Sequence, residues 1–135
     1  MKKFIIISAA VLATVAALVL CWFCLTTQVR LEDGETATLT YKVNGKDIEA
    51  TLTQEETLLV AKILRGKIAY RDAWLSCSFS TDASITIDGV TYCLARDSCG
   101  YMQIGDTAKK IALRDSERAE IEVIFEKYGG KFPCI

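Results

Sequence analysis

The longest apolar stretch of the chain runs from Phe4 to Leu25 and contains no charged residue. At about 1.5 Å per residue, a helix of this length rises roughly 30 Å, the thickness of a bilayer's hydrocarbon core. Lys2 and Lys3 precede the stretch, and Arg30 is the first charge after it. Because basic residues favour the cytoplasmic side, the pattern predicts a single-pass transmembrane anchor (a signal-anchor) with its N-terminus inside.

Two other interpretations use the same residues. A cleavable signal peptide has a shorter apolar run and a small-x-small cleavage site, whereas Val15-Ala16-Ala17 lies in mid-segment. A lipoprotein signal would place a small residue before the modified cysteine, but Leu20 precedes Cys21 and Phe23 precedes Cys24. We favour the retained anchor, with a lipoprotein or a cleaved, secreted form as alternatives. All three place the rest of the chain outside the cytoplasm.

The domain organisation follows from this segment. Residues 1–25 are predicted to be a cytoplasmic stub and transmembrane anchor, residues 26–34 a linker, and residues 35–135 an extracytoplasmic domain. About 100 residues are enough for one domain with one hydrophobic core.

Alternating apolar and polar residues from Thr36 to Leu52 predict a β-hairpin. Asn44-Gly45 is a strong type I′ turn signal, because both central residues of that turn need a positive φ. The turn then sets Tyr41 opposite Ile48 on one apolar face, and the pairs between them form a polar face.

The same pattern recurs from Ala83 to Leu94 around Asp88-Gly89, which predicts a second hairpin. Two further short strands are expected at Tyr101–Ile104 and Lys109–Leu113, with Gly105-Asp106 between them.

Two helices are predicted outside the hairpins. Thr53-Gln-Glu-Glu56 is a capping box that starts the first, and Gly66 ends it. Asp115 or Ser116 is expected to cap the second. Its buried stripe at i, i+3, i+4 and i+7 consists of Ile121, Ile124, Phe125 and Tyr128. The fold class is therefore α+β: an N-terminal transmembrane helix, then a small antiparallel sheet with two packed helices.

The composition excludes several function classes. The chain has no histidine, which removes histidine-based nucleophile systems and most catalytic metal sites. It has no Gly-rich phosphate loop, and all acidic residues follow residue 30, so the domain is mildly acidic and offers no basic stripe for nucleic acid. We expect neither an enzyme nor a bound cofactor.

Four cysteines lie outside the apolar stretch: Cys77, Cys93, Cys99 and Cys134. An even number in an exported domain predicts two disulfides, for which four cysteines allow three pairings. The expected hairpin geometry weakly favours Cys77–Cys99 with Cys93–Cys134 and leaves the other pairings open. Their spacing contains no C-x₂-C pair, so no metal site is expected. A thiol redox enzyme that uses Cys93 and Cys99 is an alternative, with Arg96 nearby as a cation.

Four residues in or next to irregular segments are candidates for partner contacts. Trp74 and Tyr70 lie in the stretch after the first helix, and Arg96 and Asp97 lie in a turn before Cys99. Aromatic and arginine side chains are common in interface hot spots, although for Trp74 we favour a place at the edge of the core.

Three segments resemble small exported or membrane-anchored bacterial proteins of unassigned function. They are Cys77-Ser-Phe79, Thr91-Tyr-Cys93-Leu-Ala95-Arg-Asp97-Ser-Cys99 and Tyr128-Gly-Gly-Lys-Phe-Pro-Cys134. The resemblance covers residues 55–135 and implies a bacterial source and a disulfide-bonded α+β domain. It carries no activity over to this chain.

These observations lead to one hypothesis and two alternatives. We expect a non-catalytic binding module, tethered to a bacterial membrane, that binds an extracytoplasmic protein as an inhibitor, immunity factor or accessory subunit would. One alternative is the thiol redox enzyme or another small enzyme. The other is a structural envelope component that assembles through its N-terminal helix.

Overall fold

A computed structural model describes residues 2–32, 36–71 and 76–131, and within residues 2–25 it leaves the side chains of 2–5 and 23 undescribed. The helices of the described residues are α1 (Lys2–Leu25), α2 (Gln54–Leu64) and α3 (Asp115–Lys127). The strands are β1 (Thr26–Gln28), β2 (Thr38–Val43), β3 (Lys46–Thr51), β4 (Ile68–Arg71), β5 (Phe79–Ile87), β6 (Val90–Ala95), β7 (Tyr101–Ile104) and β8 (Lys109–Ala112). An antiparallel sheet with helices outside it confirms the α+β part of the predicted fold.

The eight strands form one antiparallel sheet in the order β1-β4-β8-β7-β6-β5-β2-β3. The β2–β3 hairpin has the predicted register, with Tyr41 opposite Ile48. Asn44 and Gly45 have φ values of 51° and 76°, as a type I′ turn requires. The turn and the strand pairing of this hairpin were therefore both predictable from the local sequence.

The β5–β6 hairpin keeps the predicted register only near its turn. Ile85 lies opposite Tyr92 and Ser84 opposite Cys93, but the register shifts between Phe79 and Ser84. Such an irregularity bends a strand. β5 itself begins at Phe79, four residues before the predicted start at Ala83.

The hydrophobic core lies between the sheet and the pair α2 and α3. It joins sheet residues such as Leu94 and Ile111 to helix residues such as Leu64, Ile121 and Phe125, all of them fully buried. The predicted stripe of the last helix is confirmed for Ile121, Ile124 and Phe125, which are buried, whereas Tyr128 is the C-cap residue and only partly buried. The two helices therefore form one layer over the sheet.

The N-terminus of α3 differs from the prediction. Arg114, and neither Asp115 nor Ser116, is the N-cap residue, and its backbone N–H donates to the Glu117 carboxylate at 2.8 Å. Glu117 is thus the third residue of the helix, the position from which a glutamate reaches back to the cap. By contrast, Thr53 and Glu56 form the predicted capping box of α2.

The predicted transmembrane anchor is contradicted, although α1 is helical over that segment. The described part of the chain contains no helix that is long and apolar enough to cross a membrane. The transmembrane and single-pass assignment of Phe4–Leu25 is corrected accordingly.

Two strands were not predicted. β1 lies in the segment interpreted as a linker, where it pairs with β4, and Thr26 faces Tyr70. Val29 and Leu31, which follow β1, are buried in the core. Residues 26–31 are therefore part of the folded domain rather than a linker.

Candidate protein-binding groove

Glu56 connects the start of α2 to the end of α3. Its carboxylate accepts hydrogen bonds from the Thr53 backbone N–H at 2.8 Å, the Lys127 Nζ at 2.6 Å and the Tyr128 hydroxyl at 2.8 Å. Burial by itself would raise the pKa of this carboxyl, but the hydrogen bonds from Lys127, Thr53 and Tyr128 outweigh it and lower the pKa to about 2. Glu56 is therefore a charged link between the two helices.

Glu117 makes the corresponding link at the opposite end. Its carboxylate accepts hydrogen bonds from Lys67 Nζ at 2.7 Å and from the Arg114 guanidinium at 2.6 and 2.9 Å. Burial again acts to raise the pKa, and the hydrogen bonds from Arg114 and Lys67 lower it to about 2. Since Lys67 follows α2, each helix begins with a glutamate that bonds a lysine at the end of the other helix. The two helices are thus antiparallel and tied at both ends.

A groove of about 400 Å³ lies between the two tied helices. Its lining residues are Glu56, Leu59, Ala119, Glu120, Val123, Ile124 and Lys127. Val123 is 63% exposed on the wall of this groove. The groove therefore presents apolar walls to solvent on helices whose ends are fixed.

A smaller cleft of about 170 Å³ continues the groove toward the start of α3. Its lining residues are Leu59, Lys62, Ile63, Arg114, Ser116, Glu117 and Glu120. Leu59 and Glu120 line both spaces, so they mark the middle of one continuous depression. We refer to the two spaces together as the α2–α3 groove.

The α2–α3 groove carries charges of both signs. Glu56 pairs with Lys127, and Glu117 pairs with Lys67 and Arg114. Glu120 interacts with the charge of Arg114, and Lys62 lines the same cleft. The groove thus combines apolar walls with carboxylates and cations that offset one another.

The turn between β6 and β7 is stapled by a disulfide. Cys77 and Cys99 are bonded, with their Cα atoms 6.1 Å apart, which confirms one of the two predicted bridges. Arg118 of α3 donates to the backbone carbonyls of Asp97 at 2.5 Å, Ala95 at 3.4 Å and Cys99. The turn is therefore held from the sheet side by a disulfide and from the helix side by a guanidinium.

The predicted contact residues of this turn have internal partners. The Asp97 carboxylate accepts from the backbone N–H groups of Cys99 at 2.9 Å and Ser78 at 3.4 Å. Arg96 forms a salt bridge with Asp82 at 3.5 Å. Tyr70 is half-buried on β4, separated from β6 by β7 and β8. The structure thus does not unite these residues in one patch, and Trp74 lies outside the described residues.

The predicted second bridge, Cys93–Cys134, involves Cys134, which lies outside the described residues. Cys93 is a free thiol that is only 2% exposed. Burial, with a smaller contribution from the charge of Asp106, raises the pKa of the Cys93 thiol. Cys99 is bonded to Cys77, and Cys93 and Cys99 therefore do not form a thiol pair.

One cluster has the residue types of a metal site. The Cys77 and Cys99 sulfurs and an Asp97 carboxylate oxygen lie within 4.8 Å of one another. Both sulfurs belong to the disulfide, however, and metals bind cysteine as thiolate. While the disulfide is intact, neither cysteine of this cluster therefore offers a thiolate to a metal.

The groove residues were not among the predicted contacts. Val123 gave the one sequence signal, since it lies off the buried stripe formed by Ile121, Ile124 and Phe125. An aliphatic residue off the stripe is expected to be exposed. The sequence did not indicate that Glu120 lines the groove, because this depends on how α2 lies beside α3.

No protein-family model, no curated protein and no solved structure matches the chain. The resemblance to exported bacterial proteins therefore stays a prediction.

Proposed function

We propose that this protein is a non-catalytic binding module, which recognises an extracytoplasmic partner protein through the α2–α3 groove. The observation that carries the proposal is the exposure of apolar side chains, Val123 above all, in a depression between two helices whose ends are tied by Glu56 and Glu117. Isolated exposed aliphatic residues are common on protein surfaces. An exposed residue within a concave, apolar lining is what a binding site has.

The rigidity of the walls supports a binding role. A partner that enters a groove loses conformational freedom, and part of that cost is avoided when the groove is already formed. The charged hydrogen bonds of Glu56 and Glu117 hold α2 and α3 in place at both ends. The groove therefore does not need a partner in order to form.

The extracytoplasmic location is supported by the Cys77–Cys99 disulfide. Disulfides persist in oxidising compartments and are rare in the reducing cytosol. Together with the resemblance to exported bacterial proteins, this bond favours a partner in the bacterial envelope.

The arrangement of the thiols does not favour the redox alternative in its predicted form. An oxidoreductase that used Cys93 and Cys99 would need both sulfurs next to each other, whereas Cys99 is bonded to Cys77 and Cys93 is buried. We therefore give the binding module precedence.

Site-specific photo-crosslinking of the full chain in its native cells tests the proposal. A photoreactive benzoylphenylalanine at Val123 is expected to form one major adduct with another protein, which mass spectrometry identifies. The matched control is the same residue at Leu58, which is 50% exposed on α2 but lines neither part of the groove. Equal adducts from both positions, or none from Val123, would refute a partner in the groove.

A further inference from the structure

We infer that reduction of the Cys77–Cys99 disulfide turns the stapled turn into a site for one thiophilic divalent cation such as Zn²⁺, with Cys77, Asp97 and Cys99 as its ligands. None of the three residues lines the α2–α3 groove, so the inference goes beyond the proposed binding of a partner protein. It follows from the closeness of the ligand atoms, from contacts that hold them together without the sulfur–sulfur bond, and from the ligand types.

The ligand atoms already lie close to one another. The two sulfurs and a carboxylate oxygen of Asp97 are all within 4.8 Å of one another. Thiolate and carboxylate bind Zn²⁺ at about 2.0–2.3 Å, so ligand atoms on one tetrahedral ion are no more than about 4 Å apart. Small rotations about the side-chain bonds therefore bring all three atoms around one ion.

The two segments that carry the cysteines are also joined by contacts that involve no sulfur. The Arg96 backbone N–H donates to the Ser78 carbonyl at 3.0 Å, and the Ser78 backbone N–H donates to the Asp97 carboxylate at 3.4 Å. Arg118 of α3 holds the same turn through three of its backbone carbonyls. Because these contacts do not depend on the disulfide, the two thiols stay next to each other after reduction.

The Asp97 carboxylate is oriented as a metal ligand is. One oxygen accepts from the Cys99 backbone N–H at 2.9 Å and the other from the Ser78 backbone N–H at 3.4 Å. Carboxylates that bind metals are themselves hydrogen-bonded in this way, which fixes their direction. Each carboxylate oxygen has two lone pairs, so an oxygen that accepts one N–H keeps a lone pair for an ion.

The ligand types select the kind of cation. Two thiolates and one carboxylate are ligands that Zn²⁺ takes in proteins, whereas Mg²⁺ and Ca²⁺ prefer oxygen alone. Three protein ligands leave the fourth tetrahedral position to water. The reduced turn is therefore suited to a soft divalent ion.

The disulfide and the ion exclude each other. A dithiol reductant supplies the two electrons and two protons that convert the Cys77–Cys99 bond into two thiols, and it becomes a disulfide itself. Both cysteines are half-buried rather than enclosed, so a small dithiol has access. Binding of the ion then forms two metal–sulfur bonds and releases the two thiol protons to water.

A full-length variant that retains only Cys77 and Cys99 tests the inference, because Cys21 and Cys24 are exposed thiols that also bind metal ions. The replacements are Cys21→Ser, Cys24→Ser, Cys93→Ala and Cys134→Ser. After reduction and removal of the reductant, Cd²⁺ is added and the thiolate-to-cadmium charge-transfer absorption is measured. We expect saturation at one Cd²⁺ per reduced chain, displacement of Cd²⁺ by added Zn²⁺, and no such absorption from the oxidised chain.

Asp97→Asn in this two-cysteine variant tests the third ligand. Asparagine keeps an oxygen for the Cys99 N–H but loses the charge, and we expect the affinity for Cd²⁺ to fall at least about tenfold. The matched control is Asp82→Asn, which makes the same change in a carboxylate that pairs with Arg96 and is not one of the three ligands. This control should keep the affinity, and an equal affinity in both variants would refute the three-ligand site.

Three further results would overturn the inference. The first is the absence of charge-transfer absorption from the reduced chain. The second is the loss of near-ultraviolet circular dichroism on reduction, which would show that the turn does not hold together without the disulfide. The third is equally tight binding of Cd²⁺ in urea, which would show that the fold does not place the ligands. None of these results depends on the crosslinking at Val123, which tests the proposed function by itself.

Discussion

The carboxylate of Glu56, in the first turn of α2, accepts a hydrogen bond of 2.6 Å from the Lys127 ammonium, in the last turn of α3. The two residues are 71 positions apart in the sequence. The Glu56 side chain is only 12% exposed, whereas that of Lys127 is 57% exposed, so the carboxylate is shielded from solvent and the ammonium is not. The pair is thus one of two ties that fix the walls of the groove.

Removal of the Glu56 carboxylate is expected to destabilise the domain. Glu56→Ala loses the bonds to Thr53, Lys127 and Tyr128 together, and we expect a decrease in the free energy of unfolding of about 1–3 kcal/mol. Glu56→Gln keeps an acceptor for Thr53 and should cost less. The measurement is urea unfolding followed by circular dichroism.

The matched control for this change is Glu55→Ala, since Glu55 is the exposed neighbour in the same helical turn. An equal loss of stability from both alanine variants would mean that the helix N-terminus, rather than the link to α3, accounts for the effect.

The stability of the domain is expected to fall in acid. The pKa of Glu56 and that of Glu117 are lowered from 4.5 to about 2 in the folded state. A lowered carboxyl pKa contributes stability that is fully present above the unfolded value and is lost as the pH falls toward the folded value. The expected loss therefore begins near pH 4.5 and continues toward pH 2.

Urea unfolding at several pH values between about 7 and about 3 measures this dependence. In the double variant Glu56→Gln/Glu117→Gln the free energy of unfolding should change less with pH over that range. A slope as steep as that of the wild-type chain would show that other carboxylates cause the acid sensitivity.

Arg118 is expected to protect the disulfide-stapled turn. Its guanidinium donates to the carbonyls of Ala95, Asp97 and Cys99, and the side chain is nearly buried. Arg118→Lys keeps the charge but cannot reach three carbonyls at once, so we expect a loss of about 1–3 kcal/mol and faster reduction of Cys77–Cys99 by dithiothreitol.

Arg114→Lys provides the comparison for this variant, since Arg114 is an exposed arginine just before the same helix and bonds Glu117 rather than the turn. If both variants are reduced at the wild-type rate, Arg118 does not protect the disulfide.

The hairpins were predictable from the sequence because their turns and their pairings are local. Asn44-Gly45 fixes which residues of β2 and β3 face each other, and the observed register matches. β1 and β4 escaped prediction because Thr26 pairs with Tyr70, a partner far along the chain, and because β1 is a short polar strand. Local patterns carry no information on such pairings.

The groove was unpredictable for the same reason. Leu59 and Glu120 meet in it only because α2 and α3 lie side by side on the sheet. The sequence did indicate that Val123 is off the buried stripe, but nothing in it placed the residue next to α2. The Cys77–Cys99 bridge, by contrast, followed from the expected turn between β6 and β7.

Cys93 is expected to resist modification while the domain is folded. Its thiol is 2% exposed, and burial raises its pKa, so little thiolate is present and reagents have no access. It lies on β6 in register with Ser84 and Gln103 of the neighbouring strands.

Labelling of the native full chain with iodoacetamide, followed by peptide mapping, should modify the exposed Cys21 and Cys24 first. Cys93 should then react at a rate set by unfolding and accelerate when urea is added. Modification of Cys93 as fast as that of Cys21 in the native chain would mean that β6 opens readily, and would restore Cys93 as a candidate for thiol chemistry.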